Sequence, residues 1–186
     1  EFDEWSKKNG ASVVLPLLNK VNHFLSNPFL GHVLSQKTNT LDFSTFIQDR
    51  KICLVNLARS TLGYADANFL GALLMVKLLE ALRLRVRQGI ATHGFHLYLD
   101  DVPSLLSKTF LDLLRDSGHF GVSIVVAHRY LAEISPLVQA ALMSHAGNVI
   151  AFRLTGSDAM RLESEFAPIF RARDMINLGT REFYIK

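Results

Sequence analysis

Apolar positions recur at near-helical spacing from Ser12 to Leu34, interrupted by Pro16, which suits an early helix position, and by Asn27-Pro28, which reads as a turn. A polar stretch, Thr38 to Thr40, then precedes a short helical turn expected over Leu41 to Ile47. Lys51 to Leu57 is apolar on both faces of an extended chain, the pattern of a strand buried in a parallel sheet. Gly63 breaks that pattern, and Asp66 is placed to cap a long amphipathic helix ending near Arg87, with Gly71 tolerated near its start. Beyond the polar loop Gln88 to Gly94, Phe95 to Leu99 predicts a strand that ends in Asp100-Asp101, and Pro103 stops the ladder. A helix over Ser107 to Arg115 leads through Ser117-Gly118 and Gly121 into Val122 to Ala127, the most β-branched run of the chain. A helix over Pro136 to His145, a strand over Asn148 to Leu154, a helix capped by Ser157 or Asp158 and a strand over Glu182 to Ile185 complete the pattern.

Strands alternating with helices predict right-handed crossovers and a mainly parallel sheet flanked by helices, an α/β fold carrying a small N-terminal helical insert. The 186 residues fit one domain or part of one. A hydrophobic content of 49% and a mean hydropathy of +0.20 are high for a free-standing domain and normal for a piece of a larger α/β core. The most apolar stretch, Asn68 to Leu84, is interrupted by Lys77 and Glu80 and falls short of the roughly 20-residue apolar span of a membrane helix. The start, Glu1 to Trp5, is acidic where a signal peptide is basic, so a cytoplasmic location is expected. Cys53, the single cysteine, sits among Ile52, Leu54 and Val55 and is expected to be a buried structural thiol. The net charge of +3 is too small to identify a nucleic-acid binder by itself. Arg83, Arg85 and Arg87 fall around a helix rather than along one face, as in a solvated helix end; phosphate or subunit contact is the alternative.

In a parallel α/β sheet ligands sit outside the carboxyl ends of the strands, so polar residues at those ends come first. His96 to Asp101 is an apolar strand delivering two carboxylates at its tip, the layout of a Walker B element. There the first carboxylate holds Mg²⁺ and a second acidic group positions the attacking water. An acidic turn or helix cap has the same spacing. Ala127-His128-Arg129-Tyr130 ends the neighbouring strand, where a polar side chain senses a terminal phosphate or is simply solvated. Asn56, near the end of the first strand, reads as an ordinary turn residue. His23, His32, His93, His96, His119, His128 and His145 are scattered without metal-ligand spacing, and one cysteine excludes thiolate metal sites. No metal is expected beyond nucleotide-bound Mg²⁺. Neither a G-x-x-x-x-G-K-[ST] loop nor a dinucleotide-binding glycine pattern occurs in the sequence.

The order of these blocks resembles the C-terminal part of HerA-like and TraG/TraD-type coupling ATPases of the HerA/FtsK superfamily. Asn27-Pro28-Phe29, Thr40 to Phe43 and Lys51 to Leu57 look like that family's lead-in and first strand, and Leu70 to Leu74 like its long helix. His96 to Asp101 falls at Walker B and Ser123 to Tyr130 at a strand ending in Ala-His-Gln-Tyr. Gly147 to Val149, Phe152-Arg153, Asp158-Ala159 and Phe183 to Lys186 continue the likeness. The resemblance implies residues 1–48 as helical lead-in and 49–186 as the C-terminal half of a RecA-like P-loop NTPase core, with the Walker A loop upstream of Glu1. It implies a motor that hydrolyses ATP with Mg²⁺ to move or unwind DNA in conjugation, type IV secretion or DNA processing. It further implies a homo-oligomeric ring, as a hexamer, and leaves open attachment to the inner face of the cell membrane through a segment outside this chain.

By the same likeness Asp100 would hold Mg²⁺ with the nucleotide, Asp101 would sit near the water and Arg129 would sense phosphate. Three positions depart from the family pattern. Asp101 stands for a glutamate and is one methylene shorter, and Arg129 replaces a glutamine, exchanging a neutral donor and acceptor for a permanent cation. Ser117-Gly118 stands where an Arg-Lys pair supplies a trans-acting finger, a role left to Arg115 or to an upstream arginine. The alternative function is therefore a non-hydrolysing ring subunit or binding module with the same fold.

Overall fold

The computed structural model describes residues 15, 16, 18, 19, 21, 22, 27–90, 94–101 and 103–186. Much of the pattern expected over Ser12 to Leu34, and His23 and His93, lie outside the described residues. The chain divides into two compact units, Glu1–Lys77 and Leu78–Lys186. The fold is mixed α/β and mostly helical, and no described helix is long and apolar enough to cross a membrane.

The described residues of the first unit are helical or irregular. Helix α1, Pro28–Leu34, begins where a turn was expected: Pro28 fits the first helical position, and the Asn27 side chain caps the helix by accepting the Phe29 amide at 2.9 Å. Helix α2, Phe43–Gln48, is capped by Asp42, whose carboxylate accepts the Ser44 amide at 2.9 Å and the Thr45 hydroxyl at 2.7 Å. After α3, Arg59–Leu62, the long helix α4, Tyr64–Arg87, starts two residues before Asp66. Asp66 is therefore not the cap; it lies buried in the first turn and accepts a hydrogen bond from the Asn27 side-chain amide. Helix α4 buries a stripe at Ala67, Gly71, Met75, Leu78, Leu82 and Arg85, the three-and-four spacing of one helical face. That register also buries Arg85 to 5% exposure, so the expected solvated arginine cluster is corrected at this residue, while Arg83 and Arg87 are exposed.

A second correction concerns Lys51 to Leu57. It forms no strand, and Ile52 and Leu54 are 90% and 92% exposed. A strand apolar on both faces is stabilised only by neighbours on both faces and edges, and no described residue of its unit is in a strand. Cys53 is exposed with it rather than buried.

In the second unit β1, Phe95–Asp100, pairs in parallel with β2, Val122–Ala127, and the connection between them carries a 3-10 turn, Pro103–Leu105, and helix α5, Lys108–Phe120. A second 3-10 turn, Leu131–Glu133, leads to α6, Pro136–His145, which Pro136 opens at the first position. Then follow β3, Ile150–Ala151, α7, Gly156–Phe166, α8, Ala172–Ile176, and β4, Tyr184–Ile185, which is antiparallel to β3. The expected single, mainly parallel sheet is not formed among the described residues, which carry two separate two-stranded sheets. The expected long strand at Asn148 to Leu154 contracts to Ile150–Ala151, although Val149 and Lys186 exchange backbone hydrogen bonds of 3.0 Å beyond it. One core cluster joins Leu131, Ala151, Ala159, Leu162, Phe166 and Met175, and Tyr184 stacks on Phe170 against it.

Candidate functional site

The parallel register pairs Phe95 with Val122, Leu97 with Ile124 and Leu99 with Val126 on one face, and His96 with Ser123, Tyr98 with Val125 and Asp100 with Ala127 on the other. The first face is the covered one, with Leu99 and Val122 buried and α5 packed on β2. The second is open: its six residues are exposed, Tyr98 to 70%. Both faces of a parallel sheet were expected to be covered, so this open face is a further correction. Asp100 is the last residue of the open face, and its carboxylate stands at the carboxyl end of the sheet.

One residue further, the ladder still holds, because the Asp101 amide donates to the Ala127 carbonyl at 3.0 Å. Asp101 does so at φ 50°, in the left-handed region that aspartate tolerates at a cost of roughly 1–2 kcal/mol. This turn ends the strand. The Arg129 guanidinium lies 3.1 Å from the Asp101 carboxylate, with the two side chains 73% and 38% exposed. The structure thus brings together Asp101 and Arg129 directly, and Asp100 with them through the strand register.

His128, between Ala127 and Arg129, is half-buried, and its Nδ1 is sealed from solvent without a hydrogen-bond partner. Burial lowers its pKa from the ordinary 6.5, against the opposing pull of the Asp158 and Glu133 carboxylates and of the Tyr130 backbone. Asp158, 3% exposed in the first turn of α7, accepts the Leu131 amide at 3.2 Å. Sequence reasoning reads Asp158 as a candidate helix cap and, with Ala159, as part of the family likeness, not as the acceptor of this amide. The cap is in fact Thr155, and a carboxylate three residues inside the helix gives no hint of which amide it serves.

The other sequence candidates are not part of this cluster as the structure gives it. Asn56 lies in the irregular exposed segment and ends no strand. Ser117 and Gly118 lie inside α5, where the Ser117 hydroxyl donates to the Leu114 carbonyl at 2.8 Å, rather than in a loop. Arg115 is exposed and lies 3.8 Å from Asp112 on its own helix. No group of three or more potential metal ligands occurs among the described residues. Mg²⁺ held with a nucleotide needs no such cage, since one or two carboxylates and the phosphates suffice. Asp100, a hard oxygen donor at an open edge, fits that requirement. The first unit has a broad, mostly apolar groove of about 1100 Å³ lined by Phe29, Val33, Leu57, Leu70 and Leu73, with His32 and Lys77 as its basic residues. No carboxylate lines it among the described residues. Comparison with protein-family models, with curated proteins and with solved structures finds no match to this chain.

Proposed function

We propose that this chain belongs to an ATP-driven DNA translocase or helicase-like motor of the HerA and TraG/TraD kind, and that its second unit is part of a RecA-like P-loop core. One observation supports this most: the parallel register of β1 and β2 gathers Asp100, Asp101 and Arg129 at the carboxyl end of one sheet. That is the end where open α/β sheets carry their ligands. The 186 residues contain no phosphate-cradling glycine loop, so the proposal assigns them the metal- and water-handling side of the site.

Asp100 would hold Mg²⁺ brought with ATP, and that ion would supply charge stabilisation at the phosphate oxygens. Asp101, at a fixed turn one residue on, would accept a hydrogen bond from the attacking water. Arg129, a donor fork with no acceptor, would contact the terminal phosphate. DNA and a homo-oligomeric, hexameric ring are the partners this reading carries, within secretion or conjugation machinery, and its location is cytoplasmic, with attachment to the inner face of the cell membrane left open. ATP turnover by the full-length protein, with and without DNA, tests it. Asp100→Ala is expected to lower turnover by about 10²-fold or more, the scale for losing a transition-state charge contact. Turnover that is absent, or unchanged by Asp100→Ala, overturns the proposal.

A second reading has its own observation. The Asp101 carboxylate is already engaged by Arg129 at 3.1 Å, which opposes a role in accepting a proton or orienting water. Combined with Gly118, a helical residue with no side chain in the place of a finger residue, this favours a non-hydrolysing ring subunit that binds nucleotide without turnover. Under this reading Arg129→Gln removes that ion pair and raises turnover from nil to a measurable rate. Under the first it lowers an existing rate.

A further inference from the structure

The end of β2 has an inward side as well as an outward one. Arg129 reaches outward to Asp101, while the His128 ring beside it turns inward and brings Nδ1 out of contact with water. Two residues beyond Arg129 the chain is fastened again, by the Leu131 amide on the Asp158 carboxylate at 3.2 Å. The Leu131 side chain, 4% exposed, is part of the core formed with Ala159, Leu162 and Phe166. Residues 128–131 are therefore pinned at both ends, and Arg129 lies within the pinned span. Asp158 tolerates its depth because the first turn of α7 and the Leu131 amide both favour a negative charge there.

We propose that His128 and Asp158 form an acid-released clamp on the end of β2: neutral His128 packs the strand tip down, and Asp158 fastens the following turn through the Leu131 amide. Both are positioning residues. With the proton on Nε2, the buried Nδ1 is a bare acceptor, which costs less to leave unpaired than a buried N–H. Proton uptake puts a second N–H and a charge on this half-buried ring, where the Tyr130 backbone and the two nearby carboxylates offset the cost of burial only in part. The charged groups acting on the ring are Asp158 from α7 and Glu133 from the 3-10 turn, and both favour the imidazolium. Burial outweighs them, so the folded chain holds the ring's pKa below the ordinary 6.5. The sign follows. Below that ordinary value the unfolded chain binds more protons than the folded one, so the clamp's contribution is full above it and falls as pH drops toward the lowered folded value.

An acidified ring is relieved either by opening the tip to water or by drawing Asp158 off the Leu131 amide. Both free residues 128–131, and Arg129 loses its fixed position on Asp101. The clamp itself is independent of what the site binds; only its bearing on phosphate contact rests on the motor reading above.

NMR of the 186-residue chain tests this between about pH 5 and pH 8, the window in which histidine titrates. The His128 ring is expected to titrate below 6.5, and Asp158→Asn to lower it further by removing a favourable charge. Exchange of the Leu131 amide, normalised to the Phe110 amide, is expected to rise about tenfold as pH falls through the His128 titration. His128→Gln is expected to abolish that rise while leaving the Leu131 amide protected near neutrality. A His128 titration at the ordinary value and unmoved by Asp158→Asn overturns the proposal. So does a Leu131 pH profile that is the same in His128→Gln. If Asp158→Asn does not fold, the His128→Gln profile decides alone. Nucleotide is absent from these measurements, so a failed motor reading leaves their outcome intact.

Discussion

At the scale of single residues, the strand tips separate side chains that matter for chemistry from side chains that matter for stability. The Asp101–Arg129 ion pair is largely solvated, and exposed pairs contribute about 0–1 kcal/mol. Arg129→Ala is accordingly expected to shift the free energy of unfolding by less than about 1 kcal/mol, as read by urea denaturation, even where it changes nucleotide handling. A larger loss would mean that Arg129 anchors the tip itself. The identity of the tip residues was legible in sequence: an apolar run ending in two carboxylates, and a β-branched run ending in His128-Arg129, both stand at strand ends as expected. Their directions were not. Which of His128 and Arg129 turns inward depends on where β2 stops, and the Asp101–Arg129 pairing depends on a positive φ at Asp101, which aspartate adopts without any sequence mark.

At the scale of elements, two glycines in one helix show why boundaries were harder to read than elements. Both Gly118 and Gly121 read as breakers, yet α5 runs through the first and stops at the second. Gly121 adopts φ 64° and closes the helix with its amide on the Gly118 carbonyl at 3.2 Å, a conformation that disfavours a β-carbon. Gly118 is ordinary helix with open space around its missing side chain. Opposite outcomes are expected: Gly121→Ala destabilises by roughly 1–2 kcal/mol, and Gly118→Ala stabilises by up to about 1 kcal/mol. Thermal melting of the two variants distinguishes them, and equal shifts would contradict the assigned cap. The same logic explains Asn27-Pro28, since a proline that ends one pattern is equally suited to begin a helix.

At the scale of the whole molecule, the alternation of strands and helices was legible in the second unit and the completeness of the sheet was not. Val122 to Ala127 and Pro136 to His145 have the expected bounds because local β-branching and an N-terminal proline mark them. Sheet membership is different, because it is decided by which neighbours a strand finds, and no window of sequence contains that information. Phe110, with no exposed surface, lies at the heart of the second unit, and Phe110→Ala is expected to cost about 3–5 kcal/mol by chemical denaturation. A loss under 1 kcal/mol would show that α5 is not held by its buried face, on the same scale. The irregular segment at residues 51–58 has a consequence of a different kind. It is irregular and mostly exposed, with Arg50 and Lys51 exposed at its head, which is the kind of backbone a protease reaches readily. Brief digestion with trypsin is therefore expected, among the described residues, to nick the chain first at Arg50 or Lys51, leaving β1 and β2 uncut and turning this exposed stretch into the place where the chain comes apart.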